Sequence, residues 1–103
     1  MKPTAYLINA ARGPVVDEHA LIAALGAGRI AGAGLDVYET EPIETSNRLL
    51  AMDNVVTLPH VGSATEATRR AMVDLAIDNV LAVLQGHPPL TPVNPDVLPR
   101  LKT

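Results

Sequence analysis

Three short apolar runs constrain this chain most. They occupy residues 5–9 (Ala-Tyr-Leu-Ile-Asn), 30–37 (Ile-Ala-Gly-Ala-Gly-Leu-Asp-Val) and 55–58 (Val-Val-Thr-Leu). Each is continuous rather than alternating and too short for a buried helix, so each reads as a strand that wants cover on both faces. Gly13-Pro14 follows the first run and Pro59 stops the third. Gly32 and Gly34, inside the second run, fit a strand packed closely against another backbone. Asp17 is a suitable N-cap for a helix to about Leu25, with Leu21, Ala24 and Leu25 as its buried stripe and Gly26 and Gly28 as its stop. Residues 39–53 are loop-like, with a short helical turn expected over 48–51. Ser63-Ala-Thr-Glu66 fits a capping box for a long helix to about Gln85, ended by Gly86. Along it Met72, Leu75, Ala76, Val80, Val83 and Leu84 recur at helical spacing. Residues 87–103 hold five of the nine prolines and read as an extended arm.

The resulting order, β-α-β-loop-β-α, predicts an α/β fold with a parallel sheet of about three strands and two main helices. Three strands are too few for both faces of such a sheet to be well covered. A piece of sheet is therefore expected to be missing or supplied by another chain.

At 103 residues the chain makes one domain at most. With two Tyr and no Phe or Trp, the core must be built from Ala, Val, Leu and Ile. The net charge of -3 and the lack of a basic cluster argue against nucleic acid and anionic membrane as partners. The absence of cysteine excludes a disulfide framework and a thiolate metal site, and is compatible with the cytoplasm. The N-terminus lacks a signal-like apolar stretch, and no apolar run reaches membrane-spanning length.

Polar residues at the strand ends carry the chemistry, because open α/β sheets place their ligands there. Arg12 lies just past the first strand, beneath the Gly13-Pro14 turn. By itself it could be a surface ion-pair partner, but a guanidinium also forks onto a carboxylate and polarises an adjacent carbonyl. Glu41 precedes Pro42, which restricts it to extended backbone. Glu39 and Glu44 read as solvated neighbours. His60 could be an ordinary turn histidine, yet Gly62 and Ser63 are expected to open a helix N-terminus beside it. A carboxylate beside His60 would favour its imidazolium and fix its tautomer, making it a competent general acid. Asp36, at the end of the second strand, could cap a nearby amide or accept from an amide on a cofactor. Gly32-Ala-Gly34 is not a dinucleotide fingerprint, since no third glycine and no helix follow at the needed spacing. His19 and His87 lack partners at metal-ligand spacing and read as surface residues, so no metal site is expected.

Taken in order, these segments closely resemble the D-isomer-specific 2-hydroxyacid dehydrogenases. The matching stretches are Leu7-Ile-Asn-Ala-Ala-Arg-Gly13, Val16-Asp-Glu18 with Ala20-Leu21, Ile30-Ala-Gly-Ala-Gly-Leu-Asp-Val37, Glu41-Pro42, Asn54-Val-Val56, Pro59-His-Val-Gly-Ser-Ala-Thr65 and Val93-Asn94-Pro95. The stretch from Leu58 to Met72 is most similar to the glyoxylate/hydroxypyruvate reductase branch, which includes 2-ketogluconate reductases. The resemblance implies a partial Rossmann-like sheet that reduces a small 2-oxoacid to the D-2-hydroxyacid with NAD or NADP as cofactor. It implies that Arg12 binds the substrate carboxylate and carbonyl, that His60 is the acid/base, and that Glu41 pairs with it. It gives Asp36 the nicotinamide carboxamide, with Ala10, Ala11, Arg12, His60, Gly62 and Ser63 lining the cofactor.

In that family such a segment is the C-terminal third of a longer chain. Residues 1–62 would be the C-terminal half of the nucleotide-binding domain. Residues 63–86 would be a helix leading back to the substrate domain, and 87–103 a proline-rich tail. The glycine-rich phosphate loop comes earlier in the family. A chain without it is expected to be a truncation, inactive alone, that either self-associates as a homodimer or larger assembly or pairs with a separately encoded N-terminal piece. The alternative expectation is a non-catalytic, self-associating remnant.

Overall fold

The computed structural model describes residues 1–100, so the end of the expected tail lies outside the described residues. The chain divides into two compact units, Met1–Ser63 and Ala64–Thr103.

The first unit holds β1 (Tyr6–Asn9), α1 (Glu18–Gly26), β2 (Gly32–Leu35) and β3 (Val55–Thr57). The strands form one parallel sheet in the order β1-β2-β3. Tyr6 pairs with Gly32, Ile8 with Gly34 and Gly34 with Val56, so these residues share one face. Leu7, Ala33 and Val55 share the other. Against that second face pack Leu21 and Leu25 of α1, together with Ile30, Leu35, Tyr38 and Leu49. Leu49 comes from a short 3-10 turn, Arg48–Ala51, inside the long loop, and it is the most enclosed side chain at 1% exposure. Burying one such leucine contributes roughly 1.5–3 kcal/mol. The opposite face is bare: Tyr6 is 69%, Ile8 73% and Val56 64% exposed. Within the first unit the sheet is thus covered on one side only, although its continuous apolar strands call for cover on both.

Local chemistry explains the ends of α1. The Asp17 carboxylate accepts from the Ala20 N–H at 2.8 Å, as an N-cap does. The Glu18 N–H is taken by Glu39 at 2.9 Å, while Glu18 accepts the Glu39 N–H and the Asn47 side-chain amide. Glu39 is exposed, as expected of a solvated loop carboxylate, and is also hydrogen-bonded. It ties the loop after β2 to the start of α1. At the other end Gly28, at φ +63, takes the left-handed position, and the Arg29 N–H reaches back to the Ala24 carbonyl.

In the second unit α2 spans Glu66–Leu84. Its N-cap is Thr65, whose hydroxyl accepts from the Thr68 N–H at 3.2 Å, and not Ser63. The Ser63–Glu66 capping box and the Thr65–Thr68 pattern overlap in sequence, and the backbone turns into the helix at the second. No residue of α2 is buried. The segment after the helix is not simply extended. Thr91 exchanges two hydrogen bonds with Asn79, both at 3.0 Å, and Pro95–Arg100 form a 3-10 turn. No helix among the described residues is long and apolar enough to cross a membrane.

Candidate functional site

The strand ends of the first unit meet at the carboxyl edge of the sheet, where the sequence places its polar residues. β1 ends at Asn9, which is buried. Its amide donates to the Arg12 carbonyl at 2.9 Å, and its oxygen accepts from the Ala11 N–H at 3.1 Å. These two bonds shape the turn that presents Ala10, Ala11 and Arg12, all exposed. Gly13 then lies so close to the Tyr38–Glu39 peptide that an added Cβ would fall 1.8 Å from the Tyr38 carbonyl oxygen. Only glycine fits, and the contact sets the Arg12 turn against the segment leading to Glu41.

Asp36, the residue just after β2, is also buried. Its carboxylate accepts the N–H groups of Val61 and Gly62, at 2.8 and 2.7 Å. Asp36 therefore holds the backbone just after His60. The Gly62 N–H is turned onto Asp36, and Ser63 is exposed, two residues short of the α2 cap. The expected helix N-terminus at Gly62 and Ser63 is not there, because the chain first follows Asp36.

The central contact joins His60 and Glu41. His60 Nδ1 lies 2.7 Å from Glu41 Oε2, across 19 residues of sequence. The other oxygen, Oε1, accepts the Tyr38 N–H at 3.1 Å. The Glu41 carboxyl is held below its ordinary value, first by the hydrogen bond with His60, then by the Tyr38 N–H, and least by the charge of Arg12. With Nδ1 facing a carboxylate, a neutral His60 carries its proton on Nδ1 and leaves Nε2 for a ligand. His60 sits at φ +55, a region that non-glycine residues occupy rarely and often at functional sites. The Glu41-Pro42 peptide is cis.

Arg12 makes no ion pair among the described residues. Its Nη1 donates to the neighbouring Ala11 carbonyl at 2.6 Å. Glu41, His60, Ile43, Leu50, Leu58 and Pro59 are among the residues bordering an open, mostly apolar cleft of about 620 Å³. Among the described residues no group of three or more His, Asp or Glu side chains could hold a metal ion. His19 and His87 are exposed.

Sequence reasoning missed two residues that shape the site, Asn9 and Tyr38. An Asn closing an apolar run just before Ala-Ala-Arg-Gly is a signal for a side chain that turns the backbone. A tyrosine in a chain with only two aromatic residues, set between Asp36 and Glu41, is another, since a buried phenol must find a partner.

Residues 1–62 match the family model described as the D-isomer specific 2-hydroxyacid dehydrogenase, NAD binding domain. The chain belongs to this family. It is 58% identical, over 97 residues, to glyoxylate/hydroxypyruvate reductase B of Escherichia fergusonii, covering 94% of this chain and 30% of that protein. Among solved structures it resembles an NADPH-dependent glyoxylate/hydroxypyruvate reductase from Sinorhizobium meliloti in complex with NADP and malonate. There the TM-score is 0.83 at 53% identity, with 88% of this chain and 28% of that one covered. A glyoxylate reductase from Paecilomyes thermophila gives a TM-score of 0.85 at 38% identity, covering 93% and 29%. The chain thus spans about 30% of the length of the relatives it matches. Its three-stranded parallel sheet is part of their Rossmann-type nucleotide-binding domain.

Proposed function

We propose that this chain carries the acid/base half of an active site that reduces a small 2-oxoacid, such as glyoxylate or hydroxypyruvate, to the D-2-hydroxyacid. The observation that carries the reading is the 2.7 Å contact between His60 Nδ1 and Glu41 at the carboxyl edge of a parallel sheet. Glyoxylate/hydroxypyruvate reductases are the relatives at 56–58% identity, which supports the substrate class.

Within this reading His60 Nε2 gives a proton to the substrate oxygen while Glu41 stabilises the imidazolium it starts from. Arg12, released from the Ala11 carbonyl, anchors the substrate carboxylate through its fork of N–H groups. The nicotinamide of NAD or NADP, when bound, supplies the hydride to the carbonyl carbon. The residues present fit its nicotinamide end. Ala10 and Ala11 present only methyl groups at the strand edge, leaving room for a flat ring. Asp36 keeps carboxylate lone pairs beyond the two that accept from Val61 and Gly62, which suits an amide hydrogen of the ring substituent. Pyrophosphate binding needs a glycine loop at a helix N-terminus, and residues 1–63 supply none: Gly32 and Gly34 lie within β2.

The chain by itself is expected to show no NAD(P)H-dependent reduction of either oxoacid. Spliced into a relative in place of the equivalent residues, it should support turnover, which His60→Ala should abolish. Turnover by the splice at ~1 per second or more that survives His60→Ala would refute the assignment.

A second reading is favoured by the bare face of the sheet. Tyr6, Ile8 and Val56 expose an apolar surface, which calls for cover, here by another copy of the chain. In that reading the chain is a self-associating domain whose His60 does nothing. Sedimentation velocity decides whether the purified chain self-associates, and a monomer at all loading concentrations would remove the reading.

A further inference from the structure

Tyr38 bonds directly to Glu41 and to the segment that leads to His60. Its N–H donates to Glu41 Oε1 at 3.1 Å. Its ring is buried, at 5% exposure, and its hydroxyl lies 2.8 Å from the Leu58 carbonyl and 3.1 Å from the Leu35 carbonyl. A phenol has one proton to give. The Leu35 carbonyl already accepts the Leu58 N–H at 2.8 Å. The Leu58 carbonyl accepts from no other group among the described residues, so the hydroxyl serves Leu58. From Leu58 only Pro59, with its fixed φ, separates the chain from His60. On the far side of His60 the Asp36 carboxylate holds Val61 and Gly62. His60 is thus fixed at both flanks, in a backbone conformation it does not adopt by local preference.

We propose that Tyr38 is the positioning residue of the pair, its N–H aiming Glu41 and its hydroxyl anchoring the segment that delivers His60 Nδ1 to that carboxylate. This rests on the pairing of His60 with Glu41 set out above. Tyr38 touches neither substrate nor cofactor in this role and acts only through Glu41 and the Leu58 carbonyl. A phenylalanine at this position would keep the ring in the core and the N–H on Glu41 but would free the Leu58 carbonyl.

The test uses the full chain with ¹⁵N-labelled histidine, at a pH where imidazole is neutral. The two ring-nitrogen shifts of His60 then report its tautomer. The wild type is expected to hold the proton on Nδ1, toward Glu41. Glu41→Ala should move it to the Nε2–H form that free imidazole prefers. Tyr38→Phe should produce a shift in the same direction, and replacing Tyr38 by 4-aminophenylalanine, which restores a donor, should reverse it. Ile30→Val, a core substitution remote from the hydroxyl, should leave the tautomer alone. A shift with Glu41→Ala but none with Tyr38→Phe overturns the role of Tyr38 and leaves the pair standing. No shift with Glu41→Ala overturns the pair and this role with it. Equal shifts with Tyr38→Phe and Ile30→Val also overturn the role, because general loosening would explain both.

Should Tyr38→Phe fail to fold, the wild type decides. In equal H₂O and D₂O, a hydroxyl that exchanges slowly splits the tyrosine Cζ carbon resonance. Tyr38 is expected to show two lines and the exposed Tyr6 one averaged line. One averaged line at Tyr38 overturns the proposal.

Discussion

Replacing Asp36 by asparagine removes the charge from the carboxylate that fastens the segment after His60. In the native chain both oxygens accept backbone N–H groups, from Val61 at 2.8 Å and Gly62 at 2.7 Å. Each hydrogen bond to a charged group is worth about 1.5–3 kcal/mol. The amide side chain keeps one acceptor oxygen, now neutral and worth about 0.5–1.5 kcal/mol. Its other terminus becomes a donor pointed at an N–H. One charge-assisted bond is lost and the other weakened, while Val61 and Gly62 are exposed and water can satisfy the freed amide in part. A net loss of about 2 kcal/mol follows from these magnitudes. Small domains hold only about 5–15 kcal/mol in all. With a urea slope of about 1–3 kcal/mol per molar, the midpoint should fall by roughly 0.7–2 M. Urea melts followed by circular dichroism give the midpoint, and a ¹H–¹⁵N spectrum locates the Val61 and Gly62 amides. A midpoint moved by less than about 0.3 M, with both amide peaks unmoved, would refute the assignment of these bonds.

Gly13→Ala is expected to be severely destabilising, beyond the about 1–3 kcal/mol of ordinary overpacking, because its Cβ would meet the Tyr38 carbonyl oxygen at 1.8 Å; thermal melts check it. Leu49→Ala should cost about 2–5 kcal/mol, whereas its neighbour Leu50, 44% exposed, should lose under half as much by the same assay. Stability should also depend on pH through two shifted groups. The Glu41 carboxyl is depressed by His60, so its contribution is complete above the ordinary value of 4.5 and disappears as pH falls through the lowered one. Burial raises the Tyr38 phenol, so its contribution is complete below 10.0 and is lost as pH rises through the raised value. Urea midpoints taken across pH should show a decline at each end, with Glu41→Gln flattening the acid side and Tyr38→Phe the alkaline side.

Local pattern was enough to locate the elements. The apolar run at 5–9 yields β1 at Tyr6–Asn9, Asp17 caps α1, and the turn expected over 48–51 is a 3-10 helix at Arg48–Ala51. Errors arose where two local solutions compete. Ser63-Ala-Thr-Glu66 and Thr65-Glu-Ala-Thr68 are both acceptable caps, and the choice depends on the route the backbone takes past Asp36. The run at 30–37 reads as one strand, yet only Gly32–Leu35 ladder, because the residues after Leu35 turn away to the site. The link from Glu39 to α1 was not legible, because the group it serves, the Glu18 N–H, lies 21 residues earlier.

What the sequence by itself determined is the alternation of strands and helices, hence a parallel sheet, and the placing of Arg12, Asp36 and His60 at or just past strand ends. Those follow from periodicity, breaker residues and chain length, all properties of neighbours along the chain. Only the tertiary structure decided that Glu41 meets His60, that Asp36 secures the backbone beyond it, that Tyr38 holds both Glu41 and the Leu58 carbonyl, and which face of the sheet stays bare. Such contacts are set by strand register and by how closely Gly13 lets two backbones approach. Those quantities arise from packing between distant segments, which no local pattern encodes.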